Sequence, residues 1–129
     1  MTEENGNDSK LLDSSIWLGY FLEGDFSEIV EGDSVLYLSV LSLFEVQRKL
    51  YKSSLNKEDI EKGVQFMKEK SILLEVSEEI VNVALKVANE KNVPSMDSII
   101  YSTGVVNSIK VYTKDNDFRG LPNAVVLSV

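Results

Sequence analysis

Carboxylates are the residues of this chain best placed to do chemistry. In VYTKDNDFRG (111–120), the β-formers Val111 and Tyr112 lead through Thr113 into Asp115 and Asp117. Asp and Asn also make turns, because their short side chains hydrogen-bond nearby backbone. Ligands of α/β proteins, however, bind beyond the carboxyl ends of strands, so acids at such an end can hold a metal. Asp13 repeats the arrangement after Leu11 and Leu12, where an N-cap or Asx turn is the competing reading. Glu45 falls in the apolar half of a helical stretch, an unusual place for a carboxylate without a partner. Asp97 falls in the first turn of another helix, where negative charge also meets the dipole.

The missing residue types narrow the chemistry. The 129 residues include no histidine and no cysteine, which removes imidazole acid–base catalysis, thiol nucleophiles, disulfides, zinc fingers and Ser-His triads. Any catalysis must rest on carboxylates, hydroxyls, amines or a metal. Thirteen basic and twenty-one acidic residues leave a net charge of −8, so the overall field repels nucleic acid. A polyanionic substrate therefore needs a local basic patch, a bound cation or a partner chain. With 43% hydrophobic and 26% charged residues, the composition is that of a soluble globular protein. No apolar run approaches the roughly 20 residues of a membrane span, so no membrane partner is expected. The polar start MTEENGNDSK lacks the features of a secretory signal. Residues 1–10 are expected to form a flexible tail and residues 11–129 one domain, in a cytoplasmic protein.

The elements that position these acids follow from periodicity and caps. Leu11 and Leu12 form a short buried strand, and Ser14 and Ser15 offer N-caps for the apolar segment Ile16 to Leu22, which Glu23-Gly24-Asp25 ends. Phe26 to Glu31 makes a brief helix, followed by a second strand, VLYLS (35–39). Val40 to Lys52 is helical by periodicity. Asn56 caps KEDIEKGVQFMKEK, whose early acids and late lysines match the helix dipole. ILLEV (72–76) is a third strand, and Ser77 opens a helix with Ile80, Val83, Ala84, Val87 and Ala88 on one stripe. Pro94 breaks that helix, Ser95 caps the next, Met96 to about Asn107, and KVYT (110–113) and AVVLSV (124–129) are the last strands. Strands joined by helical crossovers predict an α/β, three-layer α/β/α domain with a mainly parallel sheet of four to five strands.

In such a sheet, the ends of the first and fourth strands and the starts of the following helices share one rim. Carboxylates converging there repel unless something positive neutralises them, and oxygen-only ligation suits Mg²⁺ or Mn²⁺. DNDFRG also begins like a calcium loop, but Arg119 occupies the third ligand position and Val126 the final Glu position, which excludes that motif.

The chain resembles the PIN-domain ribonucleases, in particular the VapC-like toxins of type II toxin–antitoxin pairs. The resemblance spans Leu11 to about Leu127 and is carried by LLDSS (11–15), LSLFEVQRKL (41–50), PSMDSIIYSTG (94–104) and VYTKDNDFRGLP (111–122), in that order. It implies that Asp13, Glu45, Asp97 and Asp115 form an acidic catalytic metal site. Asp117 matches the second acid of the closing motif, either as a further ligand or as support for the turn. Ser15 and Thr113 match hydroxyl residues that hydrogen-bond the ligand carboxylates, although caps and turns explain them equally. Ser98, Tyr101 and Ser102 stand where such helices are commonly alanine-rich, a departure expected to narrow or polarise the groove.

The resemblance further implies Mg²⁺- or Mn²⁺-dependent hydrolysis of RNA to products with 5′-phosphate and 3′-hydroxyl ends, a cognate antitoxin covering the groove, and a homodimer. Arg48, Lys49, Lys52, Lys114 and Arg119 are the basic residues available to RNA, against a reading of most lysines as solvated helix faces. Trp17, Tyr20 and Phe21 read as core packing, or as a partner face. A PIN nuclease for tRNA or rRNA processing, a non-catalytic metal- or partner-binding module, and a phosphoacceptor domain of flavodoxin-like topology are the competing functions.

Overall fold

Two consecutive leucines, Leu11 and Leu12, are both fully buried, and they belong to different apolar clusters. Only a central strand covered on both faces buries successive side chains in this way. The computed structural model describes residues 8–129, and this strand, β1, spans Ser9–Leu12. It starts two residues before Leu11, because Ser9 and Lys10 pair with Val35 and Leu36 of the next strand. Residues 1–7 of the expected tail lie outside the described residues.

The chain continues through α1 (Ser14–Leu18), a π-helical turn (Gly19–Glu23), α2 (Ser27–Val30), β2 (Val35–Ser39), α3 (Val40–Tyr51), α4 (Lys57–Lys70) and β3 (Ser71–Leu74). Then follow α5 (Glu78–Lys91), α6 (Ser95–Val106), β4 (Lys110–Thr113), a 3₁₀ turn (Asn116–Phe118) and β5 (Ala124–Val126). Every strand pair is parallel, in the order β3-β2-β1-β4-β5. One apolar cluster, including Leu12, Trp17, Leu36, Val46 and Met67, lies under α1, α3 and α4. The other joins Leu11 and Val111 to Ile100 and Tyr101 of α6 and to Phe118. The fold is the three-layer α/β/α arrangement, with five parallel strands.

Local chemistry explains where the expected boundaries moved. Asn56 and Ser77 cap α4 and α5, accepting from the N–H groups of Asp59 and Ile80. Asp13, rather than Ser14 or Ser15, caps α1, since it holds the extended backbone of a cap while both serines are already helical. Ser95 is likewise the first helical residue of α6, and the Pro94 carbonyl accepts from Ser98 N–H at 2.9 Å. β3 and β5 end early, at Leu74 and Val126, where their partners β2 and β4 end. Gly24, at φ 76° in the left-handed region, closes the π-helical turn. Trp17 is buried in the core and stacks on the half-buried Phe21 at 6.0 Å, while half-buried Tyr20 stacks on Phe66 at the edge of the same cluster.

At Gly104, α6 presses directly on β4. A Cβ there would lie 2.5 Å from Val111 Cγ2 and 2.6 Å from the Ile109 carbonyl oxygen. Alanine is the better helix former by about 1 kcal/mol, so propensity and packing oppose each other. Packing wins, because the blocking atoms belong to Val111 of β4 and to Ile109 just before it, which the sheet holds in place. Gly104→Ala is expected to destabilise the protein by about 2 kcal/mol in urea unfolding.

Candidate active site

The strand order reverses at β1. β2 and β3 lie to one side of it and β4 and β5 to the other, so a crevice opens beyond the carboxyl ends of β1 and β4. Asp13 follows β1, and its N–H donates to the Tyr112 carbonyl of β4 at 2.9 Å. Of the acids it is the deepest, at 5% exposed. Ser15 Oγ and Thr113 Oγ1 each donate to its Oδ2 at 2.8 Å, and Ser15 N–H reaches the same atom at 3.4 Å. Ser15 Oγ in turn accepts from Lys114 N–H, and Thr113 Oγ1 from Asp115 N–H, both at 3.0 Å. The two hydroxyls thus tie the end of β1 to the turn after β4, and their donors converge on Oδ2, which leaves Oδ1 to a ligand.

Asp115 caps the 3₁₀ turn, its Oδ1 accepting from Asp117 N–H at 2.9 Å. That single turn folds Asp117 back toward its neighbour. One carboxylate oxygen from each of Asp97, Asp115 and Asp117 lies within 4.8 Å of the others, the one such acidic group among the described residues. Asp97 stands in the first turn of α6, across the crevice from β4. Glu45 projects from α3 and is partly exposed, held at Oε1 by Ser14 Oγ at 2.8 Å and approached at Oε2 by Lys49 Nζ at 3.5 Å. It therefore sits at the rim of the apolar face with two partners.

Asp13, Glu45, Asp97 and Asp115 line a single open cleft of about 270 Å³, together with Ser14, Ser15, Lys49 and Lys114. Leu18, Gly19, Leu22 and Glu23 form another wall, contributed by α1 and the π-helical turn. Ser98, Tyr101 and Ser102 do not line the cleft, contrary to expectation. They are buried, with Ser98 Oγ donating to the Ser95 carbonyl and Tyr101 Oη accepting from Asn123 N–H. Ser14 is the contact that sequence reasoning missed, because a serine directly after Asp13 reads as a cap.

A family model for the PIN domain matches residues 10–123. The chain belongs to the PIN-domain family. Solved structures agree on the fold. A toxin–antitoxin complex from Klebsiella pneumoniae aligns at TM-score 0.75 and 19% identity, covering 91% of this chain and 96% of that one. VapBC2 of Rickettsia felis, bound to a promoter DNA fragment, aligns at 0.74 and 16%, covering 92% and 97%. VapC20 of Mycobacterium tuberculosis, described as a sarcin–ricin loop cleaving toxin, aligns at 0.71 and 15%, covering 88% and 95%. No curated protein matches the sequence. No helix among the described residues of this PIN domain is long and apolar enough to cross a membrane.

The carboxylates fit a hard divalent ion. At metal–oxygen distances of about 2.1 Å, opposite ligands of Mg²⁺ stand about 4.2 Å apart, a span compatible with the 4.8 Å within which the Asp97, Asp115 and Asp117 oxygens lie.

Without a cation the PIN cleft is strained electrostatically. Burial, followed by the charges of Asp115, Asp13, Asp117 and Glu45, pushes the Asp97 carboxyl up to about 7 from its ordinary 3.8. Asp13 also moves up, by burial, against the opposing pull of its hydroxyl donors. A carboxyl raised on folding keeps its proton in the native state after the unfolded chain has lost it, so stability falls as pH rises through that window. The metal-free protein should accordingly lose thermal stability between about pH 4 and pH 7. Asp97→Asn should flatten that decline, and Mg²⁺ should restore stability at the upper pH. Scanning calorimetry in chelator tests the first two, and the same scans with Mg²⁺ in place of chelator test the third; stability rising across this range without metal would contradict the assignment.

Proposed function

We propose that this PIN-domain protein is a metal-dependent endoribonuclease, the toxin of a toxin–antitoxin pair, hydrolysing RNA phosphodiester bonds in the carboxylate cleft. The observation that carries the reading is the convergence of Asp13, Glu45, Asp97 and Asp115 on one open cleft, with Asp117 in ligand distance of two of them. The fold likeness to toxins of toxin–antitoxin complexes, one of them described as cleaving the sarcin–ricin loop, supports the nuclease and its antitoxin partner.

Asp97, Asp115 and Asp117 would hold Mg²⁺ or Mn²⁺, with Asp13 and Glu45 completing the acidic lining of the cleft. When bound, such an ion supplies a polarised water and stabilises charge building on the phosphoryl oxygens. The chain's own residues fix the geometry. Ser15 and Thr113 clamp Asp13 so that it keeps its orientation while charge develops next to it. Glu45, fixed by Ser14 yet open to solvent, is the carboxylate positioned to orient the attacking water. Attack of water on phosphorus with cleavage of the P–O3′ bond releases the 3′-oxygen as a hydroxyl and leaves the phosphate on the 5′-oxygen. A homodimer is part of the same reading, by likeness to this family.

Purified protein free of antitoxin should cleave single-stranded RNA with Mg²⁺ or Mn²⁺ and stop when EDTA is added. Asp97→Asn should fold and cleave at least about 10²-fold more slowly, the scale of losing one charge-stabilising group. Equal cleavage by wild type and Asp97→Asn, or cleavage that ignores EDTA, would defeat the proposed site.

A further inference from the structure

A polyanion approaching a cleft of carboxylates on a chain of net charge −8 must be held by cations close to that cleft. Few are placed to do so. Lys49 lines the cleft but is paired with Glu45. Arg48 and Lys52 are exposed on α3 and its C-terminal cap and do not line the cleft. Lys114 and Arg119 differ from all of these. Among the described residues neither has an ion-pair partner, and both line a second groove of about 320 Å³ with Asn116 and the chain from Leu127 to Val129. Lys114 lines the acidic cleft as well, so the two depressions share a wall.

The groove is also organised. The Arg119 guanidinium donates through Nη2 at 2.8 Å and Nε at 3.3 Å to Asn116 Oδ1. Because the acceptor is a neutral amide, the guanidinium is oriented without losing its charge, and its remaining donors stay available. A planar fork held in this way is suited to a phosphate. Lys114, its backbone N–H on Ser15 Oγ, lines both the groove and the acidic cleft and adds a second positive charge to their shared wall.

We propose that this groove is the subsite for the RNA phosphodiester flanking the scissile one, with Arg119 and Lys114 contacting the flanking phosphate and Asn116 positioning Arg119. The assignment rests on the nuclease reading and specifies the direction in which the strand leaves the cleft.

The test is binding of a short fluorescein-labelled single-stranded RNA to the cleavage-impaired Asp97→Asn protein with Mg²⁺ present, across a salt series. Arg119→Gln and Lys114→Gln should each weaken binding several-fold and lower the slope of log affinity against log salt by about 0.7, the contribution of one single-strand phosphate contact. Lys86→Gln on α5, an equal change of charge, should leave the slope unchanged. Asn116→Ala should weaken binding while preserving the slope, since it loosens the fork without removing charge, and in the active protein, with Asp97 intact, it should raise KM for RNA. Slopes that ignore Arg119 and Lys114, or that fall equally with Lys86→Gln, overturn the groove alone. No RNA binding by the Asp97→Asn protein overturns the nuclease reading and the groove together.

Discussion

Like charges repel, and this fold holds five carboxylates at one end of one sheet. Everything near the cleft is arranged around that repulsion. The sheet does the main work, because its two faces bury separate apolar clusters and fix β1 beside β4. Hydrophobic burial of that extent outweighs the electrostatic cost of crowding a few acids at its edge. Where the cost concentrates, the protein answers with a raised pKa at Asp97 instead of a distorted backbone.

The acids are held by different means. Asp13 is buried and gripped by hydroxyl donors, so its position belongs to the core. Asp115 and Asp117 share a short turn whose own hydrogen bond brings them together. Glu45 is the least confined, at the edge of α3 between a serine and a lysine. The rigid member anchors the centre and the looser ones can adjust to what enters it.

Much of the fold was legible in the sequence because caps and periodicity agreed. Asn56 and Ser77 mark their helices unambiguously, and VLYLS and KVYT are strands by both composition and position. The family motifs put the acids in one cleft before any coordinates did. The misreadings have local causes. Three polar residues in a row, Asp13 to Ser15, each make a competent cap, and only the backbone conformation selects Asp13. The proximity of Asp117 to Asp97 depends on a single 3₁₀ turn, too short to carry a periodic signal. The serines and tyrosine of α6 look polar in sequence, yet helix geometry buries them away from the cleft, Ser98 beside α5 and Tyr101 at the Asn123 N–H just before β5.

The hydrogen bond from Thr113 to Asp13 spans 100 positions of sequence. During synthesis on the ribosome, β1, β2 and their helices can pair early, but β1 lacks its second neighbour until residues 110–113 emerge. A nascent chain that already carries Asp13, Glu45 and Asp97 still has no Asp115, no Thr113 to complete the clamp on Asp13 and no crevice. The long loop closure therefore acts as a timer, and the site assembles only when translation of the domain is nearly finished.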